Sequence, residues 1–175
     1  KIGALIFSLA ILGFGYVALG AVPTFLFAFG FIGGWIAWVS VPSRGVWRDI
    51  RWPFFVSLAL FVVHRIEERV TGFFPALADL TDVPTPAISS PAVIGLVLCS
   101  VGAWLFIPYT MSKDQPIGRY LAWTFFVSMG VTELAHFAFP LFSGSGYGYY
   151  PGMASVVLLA PAAWWGMRRL AFGQR

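Results

Sequence analysis

From Ile2 to Val41 the chain carries no acidic, basic or histidine side chain. A transmembrane helix needs about 20 mostly apolar residues, so this stretch is long enough for two of them. The rest of the chain agrees. Only 10% of its 175 residues are charged and 59% are hydrophobic, against about 25% charge in soluble domains. A water-soluble core of this length cannot hide so much apolar surface. The expected fold is all-α: a single polytopic transmembrane helical bundle spanning residues 1–175.

Punctuation by Gly, Pro and charge sets the expected spans. Gly20–Pro23 divides the first run into helices at about 2–20 and 24–41. Arg44, Arg48, Asp49 and Arg51 mark a polar loop before a third helix at about 52–72. The Pro-rich stretch 73–91 reads as an extended loop. Further helices are expected at about 92–110, 119–142 and 152–171, the last two separated by a loop rich in Gly and Tyr. Lys1 and the apolar residues after it read as a retained first helix.

Six crossings place both termini on one side. That side collects Lys1, Arg44, Arg48, Arg51, Lys113, Arg119, Arg168, Arg169 and Arg175, nine of the eleven basic residues. The opposite loops hold Asp79 and Asp82 and no basic residue. The positive-inside rule then makes both termini cytoplasmic. This explains the net charge of +4 without a nucleic-acid partner, for which no motif exists. Gly30, Gly33 and Gly34 suggest a close helix approach in the second helix, as Gly13 and Gly15 do in the first. The lone Cys99, inside an apolar run, reads as a buried, inert thiol. Tyr147, Tyr149 and Tyr150 fit an interfacial aromatic belt.

What the loops leave behind is informative. Both histidines and three of the seven acidic residues fall within expected helices: His64, Glu67 and Glu68 in the third, Glu133 and His136 in the fifth. An ionisable group inside a bilayer costs a few kcal/mol or more and marks function by default. At about 100° per residue, Glu67 and Glu68 flank His64 on one face of a helix, and Arg65 and Arg69 point away from its middle. Glu133 and His136 share a face at three-residue spacing. The two helices run in the same direction, and the clusters lie at matching depth in the outer half of the membrane. They can meet there, beneath the 73–91 and 143–151 loops.

Two chemistries fit five such side chains. One is a divalent metal, zinc or iron. Glu-x-x-His is a ligand pair of di-iron carboxylate bundles, which use four Glu and two His, and a single zinc needs fewer donors. The other is metal-free acid–base catalysis by carboxylates and imidazoles in a low dielectric. A purely structural ion-pair network with Arg65 and Arg69 is the plain alternative.

The motif His64-Arg65-Ile66-Glu67-Glu68, followed in order by Glu133 with His136 and then Tyr150-Pro151-Gly152, resembles the HXXEE family of small bacterial integral membrane proteins. The resemblance covers residues 50–160 and implies a shared site and a bacterial inner-membrane location, but it brings no assigned reaction. The Gly- and Tyr-rich stretch after His136 departs from it. The reading of function is a membrane-embedded enzyme acting on a lipid-soluble or membrane-proximal substrate at His64, Glu67, Glu68, Glu133 and His136. The alternatives are an accessory subunit of a larger membrane complex, binding a pigment, quinone or metal, and a small transporter or proton relay.

Overall fold

A computed structural model describes residues 1–82, 84–85, 87, 89–144 and 146–173. Among them every regular element is helical: α1 (Ile2–Leu19), α2 (Ala21–Ser40), α3 (Trp47–Thr71), α4 (Phe73–Thr81), α5 (Pro91–Leu105), α6 (Ile107–Ser112), α7 (Pro116–Gly130), α8 (Ala135–Ala138) and α9 (Met153–Phe172). Two 3-10 turns, Thr132–Leu134 and Phe139–Phe142, flank α8.

The expected six helices thus become nine segments among the described residues, seven of them nine residues or longer. Each difference has a local cause. The first break falls on Gly20, at φ 84°, and Pro23 sits inside the first turn of α2, where its missing N–H costs nothing. Gly72, at φ 78° and ψ 45°, stops α3 in the left-handed conformation that suits glycine. The chain restarts at once as α4, inside the stretch expected to be extended. Pro108, in the first turn of α6, breaks the expected fourth helix at Phe106. The expected fifth helix gives out at Gly130.

Among the described residues, four stretches are long and apolar enough to cross a membrane: Ile2–Leu19, Ala21–Ser40, Pro91–Ser112 and Pro116–Phe142. They mark a membrane protein. The helices α3 and α9 are as long but carry more charge and polar surface. They pack against each other, and α7 joins α9 to α2.

Close approach of α2 and α7 rests on glycine. A Cβ at Gly34 would lie 2.7 Å from the Thr124 backbone nitrogen, and one at Gly30 would lie 3.3 Å from the Ser128 Cα. Gly34 therefore admits only hydrogen, and a side chain at Gly30 would have to displace that of Ser128. A Cβ at Gly13 would meet nothing within 4 Å, so helix α1 does not use that residue in the same way. Cys99 is exposed on the outer face of α5, contrary to the expected burial. The run around it is apolar because it faces outward, where lipid replaces core.

One pole of the bundle gathers the basic residues. The N–H of Gly45 donates to Leu170 O at 2.9 Å and that of Arg44 to Ala171 O at 3.3 Å. Arg119 binds Ser43 O at 3.1 Å and Asp114 at 2.6 Å. These bonds draw the 41–46 loop, the end of α9 and the start of α7 together. Arg175, counted with this pole from the sequence, lies outside the described residues. At the opposite pole Phe73, Leu77, Phe139 and Tyr150 form a separate small apolar cluster. Tyr150 is buried in it rather than standing in an interfacial belt.

Candidate metal centre

Just beneath that second cluster, α3 meets the broken segment after α7. His64 and Glu68, one turn apart on α3, face Glu133 from a 3-10 turn and His136 from α8. One donor atom from each lies within 4.8 Å of all the others. The histidines are essentially inaccessible, and the side chains of Glu68 and Glu133 are 4% and 16% exposed. Two polar groups on separate helices, met in sequence as isolated oddities, become one constellation.

Hydrogen bonds fix which ring nitrogen points inward. His136 Nδ1 lies 2.6 Å from Pro151 O. A carbonyl only accepts, so this nitrogen carries the proton. His64 Nδ1 lies 2.8 Å from Ser155 Oγ. Ser155 Oγ also reaches Gly152 O at 3.2 Å. Both rings therefore turn Nε2 to the centre. That pattern, an outer partner on one ring nitrogen and a free second nitrogen, is how histidine is held for metal binding.

A metal site and an ion-pair network call for different distances. His64 Nε2 is 3.6 Å from Glu68 Oε1 and 3.3 Å from Glu133 Oε2. His136 Nε2 is 3.4 Å from each of the same oxygens. An N–H···O bond would be at 2.7–3.2 Å, and His64 Nε2 has no hydrogen-bond partner although it is buried. Around a tetrahedral ion with ligands near 2.1 Å, donors stand about 3.4 Å apart. The four nitrogen–oxygen contacts match that edge length, within a set of donors that spans up to 4.8 Å. Two imidazoles and two carboxylates suffice for one ion and fall short of a di-iron set.

Glu67 is not among the four. Its Oε1 accepts from Tyr149 Oη at 2.6 Å and Ala154 N at 3.0 Å, and its Oε2 from Ser155 N at 2.8 Å. A carboxylate at a helix N-terminus meets free N–H groups and the positive end of the macrodipole. Glu67 thus clamps the start of α9, the helix whose Ser155 orients His64. The face expected from the sequence was wide enough to send its two edges to different places. Arg65, expected to point away, instead forms an ion pair with Glu68 Oε2, leaving Oε1 turned to the imidazoles.

The remaining walls are tight. Gly152 has φ +91°, and a Cβ there would lie 2.6 Å from His136 Cε1 and 3.0 Å from His64 Cε1. The Phe73 ring is centred 4.9 Å from that of His136. So α4 and the Tyr150–Gly152 strap cover the site, as the flanking loops were expected to. Next to it lies a cavity of about 470 Å³ that includes Glu68, Glu133 and His136 in its wall and is otherwise lined mainly by apolar side chains from α2, α4 and α5.

No family model, curated protein or solved structure matches the chain.

Proposed function

We propose that the protein is a membrane-embedded enzyme in which His64, Glu68, Glu133 and His136 hold one divalent cation, zinc or iron, beside a cavity for a lipid-soluble substrate. The observation that carries this reading is the convergence of two imidazole Nε2 atoms and two carboxylate oxygens, each Nε2 lying 3.3–3.6 Å from both oxygens. Without a cation, four electron-rich atoms would face one another in a buried space, which is costly in a low dielectric.

A cation there supplies Lewis acidity toward an oxygen-bearing group. The chain's own residues do the rest. Ser155 and Pro151 O hold the two rings, and Arg65 orients the Glu68 carboxylate. Phe73 and the Tyr150–Gly152 strap keep bulk water away. In this reading α3 and α9 also cross the bilayer, with Arg65 paired to Glu68 and Arg168 and Arg169 at the basic pole. That pole lies on the cytoplasmic side of a bacterial inner membrane, and the site lies in the outer half. Membership of the HXXEE family belongs to the same proposal, supported by the ordered motifs His64–Glu68, Glu133–His136 and Tyr150–Gly152.

Elemental analysis of protein purified without chelator tests the reading. About one zinc or iron per chain is expected, with loss of that metal in His64→Ala and Glu133→Ala. A protein that stays metal-free after incubation with zinc and with ferrous iron overturns it.

A further inference from the structure

The cavity has features that the metal site alone does not require. Its size, about 470 Å³, falls in the range of ligand pockets. Two of the residues that line it, Arg65 and Val97, are nonetheless about half exposed, at 44% of the Arg65 side chain and 50% of Val97. They belong to α3 and α5, which meet through the edge of Phe61 on Trp104, ring centres 6.2 Å apart. At Arg65 and Val97 the cavity wall reaches the outer surface of these two helices. The outward faces beside them are apolar, with Val62, Val63 and Leu98 exposed. A hydrocarbon chain in the bilayer would meet an apolar passage there, with no water to cross.

The wall beside the His/Glu centre has a different chemistry. Arg65 uses one side of its guanidinium for Glu68, and a guanidinium has five N–H donors. Thr132, also on the cavity wall, has a buried hydroxyl with no hydrogen-bond partner. The Arg65 guanidinium lies 5.9 Å from the ring centre of Phe74, another lining residue. With the Glu68 and Glu133 carboxylates turned to the centre, the Arg65 N–H groups and the Thr132 O–H are the donors left there. They call for a head group of acceptor oxygens.

We propose that the cavity takes a long-chain lipid with an acceptor-oxygen head, a carboxylate or its ester, whose tail enters between α3 and α5 and whose head reaches Arg65, Thr132 and the His/Glu centre. The inference rests on the metal reading of that centre for its catalytic sense. Tail recognition is by volume alone, and head recognition is by donors. A soluble, fully polar substrate would find nothing along the passage to replace its hydration.

Photo-crosslinking of the whole protein in nanodiscs tests this. Two probes are used, a fatty acid and a phosphatidylglycerol, each with a diazirine in mid-chain. Labels are mapped by peptide mass spectrometry. Labelling of the buried Leu96 and Ser100 by at least one probe is expected, in addition to the outward Leu98. Labels inside the cavity should be displaced by excess unlabelled fatty acid or phosphatidylglycerol, while labelling of Leu98 by bulk lipid should not saturate. Ser100→Trp, which fills the cavity, should lower inner labelling about tenfold and leave bound metal unchanged. Arg65→Gln should lower fatty-acid labelling by about the same factor, the loss of a charge-assisted contact. Labelling by the free acid alone, or by the phospholipid alone, identifies the source. Metal retained with no displaceable label at Leu96 or Ser100 from either probe overturns the inference and leaves the metal reading standing. Displaceable labelling in a protein that binds no metal does the reverse. Should Ser100→Trp fail to fold, the displacement experiment on the natural protein decides.

Discussion

The two halves of the site are built differently. His64 and Glu68 lie on α3, which runs unbroken from Trp47 to Thr71. Glu133 and His136 lie where α7 has ended at Gly130 and the backbone passes through a 3-10 turn into α8. On a regular helix, residues four apart are offset by about 40°, close enough for a histidine and a glutamate to lean on one point. Residues three apart on an α-helix diverge by about 60°, but in a 3-10 turn they eclipse. The irregular backbone thus lines up the Glu133 and His136 side chains, and the regular one needs no such help. One half of the site comes from helix geometry, the other from a departure from it.

Removing donors is the most direct way to break this comparison. His64→Ala and His136→Ala should each weaken metal binding by more than about 100-fold, beyond the 10–100-fold typical of outer-shell changes. Isothermal titration with zinc measures this. Equal losses would mean that the irregular half is held as firmly as the regular one.

Gly152→Ala comes next. It forces a side chain into positive φ and against both imidazoles. A loss of about 1–3 kcal/mol from the backbone alone is expected, read as a lower thermal midpoint in detergent, with weaker metal binding besides.

Ser155→Ala acts on the α3 half only, by freeing the His64 ring. About a 10-fold loss of metal affinity is expected, with His136 still held by Pro151 O. An unchanged affinity would show that packing alone fixes the His64 ring.

The smallest effect belongs to Tyr150. Its buried hydroxyl has no partner, so Tyr150→Phe should be neutral or stabilising by up to about 1 kcal/mol. Burial and the charge of Asp79 push its phenol up to about 12. The unfolded phenol ionises near pH 10, so the folded chain keeps a proton that the unfolded chain loses. Stability should therefore fall as pH rises from about 10 to 12, and less so in Tyr150→Phe. Alkaline unfolding of the two proteins, followed side by side, checks this.

Much of the site was legible because charge in an apolar sequence is costly. His64, Glu68, Glu133 and His136 stood out for that reason, and Gly30 and Gly34 for their missing side chains. What escaped detection depended on angles and partners. Glu67 and Glu68 are adjacent, and only the position of the α9 N-terminus decides that one clamps a helix while the other turns to the centre. Arg65 has a long side chain that reaches around its own helix, so its Cα direction misled. Helix α4 was masked by a Pro- and Asp-rich neighbourhood, although Gly72 was a visible stop signal. Pro108 and Gly130 were equally visible and announce the breaks in the expected fourth and fifth helices. Cys99 shows the limit of reading burial from hydrophobicity in a membrane chain, where the outside is apolar as well.

The dependence of α3 on α9 bears on how the chain is made. Ser155 and Ala154 are translated long after His64 and Glu67, the groups they satisfy. Until α9 emerges from the ribosome, Glu67 lacks the two backbone donors of α9 and the His64 ring is free to turn. A chain stalled before Met153 would leave two polar groups of α3, His64 and Glu67, without their α9 partners.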